Sequence, residues 1–266
     1  MKTVLVTGAS GMIGMEVVNS LLAKGYKVVG TDRQSNELMG KPNYTFVQAT
    51  IADKQRILGV ISSARFNAVV HLASSCDNDI PAFVTEQEMA DCKTCDKYFY
   101  KACVQAGIKD ILMLSTTQVY AVTKSREPIR ETAELKPLSN YAKMKMESEL
   151  ALMGAVKKSD STPIIMRVAP VYKVDYTQNM REKVYDSKDD VGFVYGDGSY
   201  GFCFCCVYNL VEFINAIISG PQGHYDGEYN VCDTRLTLAK EIVDIERANH
   251  RLGVVLQRGG GAEALK

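Results

Sequence analysis

Residues 1–14 read MKTVLVTGASGMIG, a short apolar run, MKTVLV, that passes without a break into TGASGMIG, with glycine at 8, 11 and 14. A strand that runs straight into glycines at this spacing is the entry to a dinucleotide site. Gly8 lets the chain turn sharply, Gly11 lets the backbone approach a pyrophosphate, and Gly14 lets the following helix pack close to the strand. The helix N-terminus then faces the phosphates with N–H groups that lack helical partners and with a partial positive charge. The flanks carry more weight than the spacing. Ile13, Val17, Val18, Leu21 and Leu22 fall on one side of an amphipathic helix that ends at Gly25, and a second strand, KVVGT, ends at Asp32. The Asp32 carboxylate is placed to accept hydrogen bonds from both hydroxyls of an adenosine ribose and to repel a 2′-phosphate, which favours NAD. Arg33 follows and could instead clasp a 2′-phosphate, so NADP stays open.

Downstream come NYTFVQA, a helix from about residue 54, the strand AVVHLAS, a long helix over 85–105, the strand DILMLST, a helix beginning near Tyr141 and the strand PIIMRV. This alternation predicts a doubly wound, Rossmann-like α/β sheet of parallel strands covered on both faces. Beyond Val168 the pattern loosens into a loop-rich stretch with a strong turn at 196–198, VYGDGS. The expected organisation is therefore a cofactor-binding domain over 1–168 and a small α/β substrate lobe over 169–266, interleaved with the first. Helices are expected at about 210–218 and 236–249, the latter capped by Thr237 or Thr234 and ended at Gly253. GGG at 259–261 reads as a tail.

In 266 residues, 31 Lys and Arg balance 31 Asp and Glu. No overall field draws the chain to nucleic acid or to an anionic membrane, and a small, mostly neutral partner fits best. The N-terminus enters a core strand with no leader, and no apolar run reaches bilayer length, so a soluble, cytoplasmic protein is expected. The eight cysteines are Cys76, Cys92, Cys95, Cys103, Cys203, Cys205, Cys206 and Cys232. They show no paired CxxC turns and no Cys/His grouping, and they read as reduced, mostly buried thiols with no metal among them. Three of them lie in the strand-like run FCFCCV.

Tyr141 and Lys145 in YAKMK stand four residues apart at a helix start, on one face and about one turn from each other. A phenol titrates near pH 10 in water, so it serves as an acid or base at neutrality only when a cation steadies its phenolate, which Lys145 can do. Tyr120 and Lys124 in YAVTK repeat the spacing, but in a loop leading to Pro128, where helical geometry is not expected. The chemistry also needs a hydroxyl beside the tyrosine to hold the substrate oxygen as charge develops. Ser115, Thr116 and Thr117 supply candidates at the carboxyl end of a strand, where open α/β sheets bind ligands.

With these residues in view, the chain resembles the extended short-chain dehydrogenase/reductase family, the group of NAD-dependent sugar epimerases and dehydratases, over nearly its whole length. TGASGMIG looks like the family's TGxxGxxG, with Ser10, Met12 and Ile13 on the phosphate side. Asp32 resembles its ribose acid and HLAS at 71–74, with Leu72, Ala73 and Ser74, its cofactor-lining strand end, while Thr50 and Ile51 stand in place of the Asp-hydrophobic pair that reads adenine. YAKMK matches YxxxK, and Thr116 the catalytic Ser/Thr. MRVAPVY resembles the strand bearing Arg167, VYGDGS the substrate-lobe turn and EYNV the late strand. The resemblance implies Thr116, Tyr141 and Lys145 as catalytic residues, with Tyr141 and Lys145 also touching the cofactor.

The departures lie elsewhere. Thr117 and Gln118 replace the dehydratases' Asp-Glu, which disfavours dehydration. Pro170 stands where the family has Asn, Phe202 where it has an Arg aligned on the nucleotide diphosphate, Cys203 in place of an acid, and Cys92 in place of Asn. Charge-assisted contacts to a diphosphate contribute about 1.5–3 kcal/mol each. Unless Arg181, Lys183 or Arg235 reaches the same place, UDP- and dTDP-sugars are expected to bind weakly. The leading expectation is an NAD(P)-dependent epimerase-type enzyme acting on a sugar, most plausibly a sugar nucleotide, by hydride transfer at a secondary alcohol or carbonyl. The alternatives are a carbonyl reductase or dehydrogenase of a non-nucleotide substrate and a cofactor-binding regulator without turnover. The family's dimers pair the helices corresponding to 85–105 and 141–153, so a homodimer is expected, although Glu86, Glu88, Asp91, Lys93 and Lys97 make the first helix polar on its outer face.

Overall fold

The apolar run at the N-terminus becomes β1 (Thr3–Thr7), whose Val4, Leu5 and Val6 are fully buried between two parallel neighbours. In the computed structural model, which describes residues 1–74, 84–122, 127–187, 190–249, 251–252 and 255–258, the chain alternates as the periodicity requires. After β1 come α1 (Met12–Ala23), β2 (Lys27–Asp32), β3 (Tyr44–Gln48), α2 (Lys54–Ser62), β4 (Ala68–His71), α3 (Glu86–Gln105), β5 (Asp110–Thr116), α4 (Asn140–Val156) and β6 (Thr162–Val168).

The sheet order is β3-β2-β1-β4-β5-β6, continued by the strand Gly227–Val231, and every pairing from β3 to β6 is parallel. Strand order reverses between β1 and β4, which makes the carboxyl ends of β1, β2 and β4 the place where such a sheet binds ligands. One core face joins Leu5, Val69, Ile111 and Ile165 of the strands to Phe99, Tyr100 and Cys103 of α3. Local signals set the helix starts. Thr85 and Glu88 form a reciprocal capping box at α3, Ser139 accepts from the Ala142 N–H at α4, and Asp53 caps α2.

The chain divides into two compact units, Met1–Val168 with Val211–Asn230, and Ala169–Leu210 with Val231–Lys266. The second has its own core of Met180, Val184, Phe204, Ala239, Ile242, Val243 and Leu252. Several expectations for this half need correction. The helix expected at about 210 begins at Val207. The next helix runs Ala239–Ala248 and is not capped by Thr237 or Thr234. Thr237 is instead in a two-residue strand against Gly201–Phe202, and Glu241 reaches back to the Leu238 N–H at 2.9 Å. FCFCCV is not one strand, because Gly201–Phe202 and Cys205–Cys206 pair with different partners.

Nor are the thiols uniformly hidden. Cys92, Cys95, Cys103 and Cys205 are buried and Cys206 is half-buried, but Cys203 and Cys232 are exposed, each just past a strand end where the chain leaves its sheet. Cys76, Lys124, Gly253 and the glycines at 259–261 lie outside the described residues. Among the described residues no helix is long and apolar enough to cross a membrane.

Candidate active site

The three glycines are held for three different reasons. Gly8 has φ +72°, in the left-handed region, and a Cβ there would lie 2.9 Å from the Ala73 nitrogen. At Gly14 a Cβ would lie 2.0 Å from the Gly8 carbonyl oxygen, so α1 can pack on the turn only without a side chain. Gly11 has ordinary backbone angles, and its nearest contact would be an unstrained 3.5 Å. It is the N-cap of α1 and offers no side-chain cap, which leaves the first-turn N–H groups to an anion or to water. Among the described residues, no contact or backbone angle demands glycine there.

These residues open onto a groove of about 550 Å³. Of the residues predicted from sequence, Gly8, Ser10, Gly11, Asp32, Arg33, Thr50, Ile51, Leu72, Ala73 and Ser74 line it together, while Met12, Ile13 and Gly14 form the first turn of α1 and are not on its wall. Thr7, Thr31, Gln34, Ala49 and Ile57 line it without having been anticipated. Asp32 is fixed at the groove by two backbone donors, Ser10 N–H to Oδ2 at 2.9 Å and Arg33 N–H to Oδ1 at 2.6 Å. A carboxylate has about four acceptor positions, so both oxygens keep capacity for ribose hydroxyls.

The groove rests on a polar scaffold that the sequence did not reveal. Asn36 donates to the Ala9 carbonyl at 3.3 Å, Ser10 Oγ at 3.2 Å and the Tyr44 hydroxyl at 2.9 Å, which ties the loop after β2 to the glycine turn. The Tyr44 ring occupies the space a side chain at Gly30 would fill, with its hydroxyl 2.3 Å from a Cβ built there. A glycine inside the strand KVVGT was the available signal, since such glycines mark close approach. Burial first, and the nearby Asp32 charge, raise the Tyr44 phenol, while its Asn36 hydrogen bond opposes them. Tyr98 on α3 donates to the Ile51 carbonyl, with Lys54 Nζ 5.6 Å from its ring centre. Thr7 Oγ1 accepts from the Ala73 N–H and lies 2.7 Å from His71 Nδ1. His71 Nε2 lies 3.3 Å from Asp96, which also accepts from Ser148. This buried chain holds the wall at residues 72–74.

The side chains expected from the sequence to react come from β5 and α4. Thr116 ends β5, and its Oγ1 accepts from the Gln118 N–H at 3.3 Å. Tyr141 is half-buried in the first turn of α4, and Lys145 is one turn on, 8% exposed, with Nζ 5.9 Å from the Tyr141 ring centre and 3.2 Å from the Leu114 carbonyl it donates to. Tyr120 is committed otherwise. Its hydroxyl donates to Asn230 Oδ1 at 2.7 Å and accepts from Arg167 Nη1 at 3.0 Å. Arg167 in turn pairs with Glu149 at 2.8 Å, and Glu149 accepts from Ser115. Burial opposes the Arg167 charge, but the hydrogen bond and field of Glu149 outweigh it and hold the guanidinium above its ordinary range.

In the second unit, Phe202 packs edge-on to Tyr200, with ring centres 5.6 Å apart, and the Pro170 carbonyl accepts from Cys205 N–H at 3.1 Å. Arg181 stacks over Tyr185 at 3.8 Å, Arg235 pairs with Glu241 at 3.0 Å, and Lys183 is half-buried.

Residues 4–232 match the NAD-dependent epimerase/dehydratase family. The chain is 26% identical over 246 residues to an uncharacterised UDP-glucose epimerase, YtcB, of Bacillus subtilis (strain 168), covering 85% of this chain and 74% of that one. It is 28% identical over 167 residues to the UDP-glucose 4-epimerase of the same organism, covering 56% of this chain and 46% of that one, so here it spans less than half of its relative. The UDP-glucose 4-epimerase of Thermus thermophilus, solved in complex with NAD, shares the fold with a TM-score of 0.77 at 21% identity, over 97% of this chain and 86% of that one.

Proposed function

The chain belongs to the NAD-dependent epimerase/dehydratase family and is an NAD-dependent enzyme, and we propose that it works as an epimerase-type catalyst at a secondary alcohol or carbonyl of a sugar nucleotide. Lys145 carries this reading. An ammonium buried this deeply is costly unless it is used, and this one is pinned by Leu114 in the strand that ends at Thr116, one helical turn from Tyr141. Tyr141, one helical turn from that ammonium, takes and returns a proton at the substrate oxygen. Thr116 donates its hydroxyl to the same oxygen as negative charge develops.

The groove fits NAD on its own terms. The uncapped N-terminus of α1 suits a pyrophosphate, Asp32 keeps acceptors for the ribose, and Thr50 and Ile51 on the groove wall would meet the adenine. When bound, NAD supplies the hydride acceptor. Asp32 and the N–H groups at the N-terminus of α1 would hold it, with Leu72, Ala73 and Ser74 on the groove wall. We also read the chain as a homodimer through α3 and α4, whose outer faces expose Leu150 and Met153 beside a hollow lined by Met89, Leu135, Pro137 and Met146.

A second reading, a sugar or carbonyl compound without a nucleotide, is favoured by the engagement of Phe202, Arg181 and Arg235 with their own neighbours. One experiment decides both points. The NAD-loaded protein and its Tyr141→Phe variant are titrated with UDP-glucose by calorimetry and assayed for epimerisation. The expected result is binding of UDP-glucose by both proteins that is weaker than micromolar, because Phe202 and Pro170 offer no charge to the diphosphate, and a turnover that falls at least about 100-fold in the variant, with NAD affinity unchanged. Undiminished turnover in the variant would refute the role of Tyr141. Absence of binding heat with UDP-glucose would hand the substrate to the second reading.

A further inference from the structure

Cys203 and Cys232 are both exposed and stand as neighbours on adjoining segments of the chain. Cys203 follows the strand Gly201–Phe202, and Cys232 follows the strand Gly227–Val231. One residue beyond each, the Asp233 N–H donates to the Phe204 carbonyl at 2.8 Å. The Asp233 carboxylate then takes the Cys206 N–H at 2.9 Å, the Asn209 side chain at 2.7 Å and the Tyr172 hydroxyl at 3.0 Å. The backbone beside both thiols is therefore fixed in the register that brings them together. Cys92, Cys95, Cys103 and Cys205 are buried, and Cys206 is half-buried. None of the groove residues, nor Thr116, Tyr141 or Lys145, takes part.

We propose that Cys203 and Cys232 form a dithiol site that is reversibly oxidised to a disulfide by exchange with a small-molecule disulfide. Thiol exchange needs a thiolate attacker and a neighbouring thiol to resolve the mixed disulfide. The chain covering one side of Cys203 first, then the neighbouring Cys232 and Asp233, push its thiol up although its other side meets solvent, so Cys203 acts second. The Cys232 thiolate attacks one sulfur of the small disulfide. An S–S bond forms to Cys232, the original S–S bond breaks, and one small thiolate leaves and is protonated. Cys203 then gives its proton to solvent and attacks the Cys232 sulfur, which expels the second small thiol. The protein gains one disulfide and loses two thiol hydrogens, and the small disulfide is reduced to two thiols. Bridging needs Cα atoms within about 4.4–6.8 Å, a range that adjoining, hydrogen-bonded segments can meet.

The test uses the whole protein incubated with oxidised glutathione, then alkylated in denaturant and mapped by mass spectrometry without reduction. The expected result is a fall of two in the free-thiol count, a Cys203–Cys232 crosslinked peptide, no retained glutathione, and full reversal by dithiothreitol. Cys203→Ser is expected to retain glutathione on Cys232 unresolved, and Cys232→Ser to take up at least tenfold less glutathione in the same time. Cys203→Ala repeats the first arm, and circular dichroism reports that each variant is folded. Glutathione persisting on Cys232 of the unaltered protein, a crosslink between other cysteines, or an unchanged thiol count would each overturn the proposal.

Discussion

Gly11 and Gly14 stand three residues apart in the same turn, yet alanine at each should fail in a different way. At Gly14 the new Cβ meets a backbone oxygen at 2.0 Å, a contact no rotamer can relieve, so α1 must move off the turn by about 1 Å. Overpacking of this kind costs about 1–3 kcal/mol. Alanine recovers up to about 1 kcal/mol of helix propensity. A contact this close takes the upper end of that range, about 3 kcal/mol, so the net loss is about 2 kcal/mol, and at about 2–4 °C per kcal/mol the unfolding midpoint of the ligand-free protein should drop by about 4–8 °C. At Gly11 the Cβ sits 3.5 Å from its nearest neighbour and φ is −70°, so no strain arises. The poorer capping of alanine is roughly offset by the lower entropy of the unfolded chain, and the midpoint should stay within about 2 °C. The methyl group instead stands where a pyrophosphate must approach the α1 N–H groups. Losing one charge-assisted contact of about 1.5–3 kcal/mol weakens NAD binding at least about tenfold. Scanning calorimetry of the ligand-free proteins and titration with NAD separate the two effects. If Gly11→Ala bound NAD within about threefold of the parent, the pyrophosphate would not lie over the α1 N-terminus. If Gly14→Ala lost no stability, the close packing of α1 on the turn would be wrong.

Asp32, anchored by Ser10 and Arg33 N–H groups, should repel a 2′-phosphate, so NAD is expected to bind at least about tenfold more tightly than NADP in parallel titrations. Equal or tighter NADP binding would give the choice to Arg33. Tyr120→Phe removes a donor to Asn230 and an acceptor for Arg167, which should lower stability by about 1–2 kcal/mol in urea titrations and leave NAD affinity intact. Loss of turnover from Tyr120→Phe with full activity in Tyr141→Phe would reverse the assignment of the catalytic pair. Glu149→Gln leaves the buried Arg167 charge uncompensated, and a loss of about 3–5 kcal/mol is expected in the same assay. A loss under about 1 kcal/mol would mean that the ion pair is not what holds β5 against α4.

The sequence exposed those features whose causes are local. The run MKTVLV, the three glycines and the strand ending at Asp32 depend on neighbours a few residues away, and they stand in the structure where the pattern puts them. The scaffold under the groove depends on partners far apart in the chain. Thr7 and His71 are separated by 64 residues, Asp96 and Ser148 by 52, and Asp96 looks from its neighbours like one more charge on a polar helix face. No periodicity distinguishes a carboxylate that turns inward to a histidine from one that faces water. The second unit fails for a related reason. The two strands that share FCFCCV are two residues long, too short for an alternation to register, so the run reads as one element although it splits between two partners.

The same distinction explains how the reactive groups acquire their positions. Thr116 belongs to β5 and Tyr141 to α4, and nothing in the local sequence of either sets the other's place. Glu149 lies two turns beyond Tyr141 on the same helix. It accepts from Ser115, next to Thr116 in β5, and from Arg167 in the adjoining β6 strand. Arg167 reaches on to the Tyr120 hydroxyl and to the Glu131 carbonyl, which secures the loop after β5 to the same guanidinium. A buried ion pair contributes little net stability over an apolar pair of equal shape, but breaking it is costly, and so it fixes one arrangement against its alternatives. Here that arrangement is the placement of the helix carrying Tyr141 and Lys145 against the strand end carrying Thr116. Tyr120, which imitates the catalytic pair in sequence, is part of this brace.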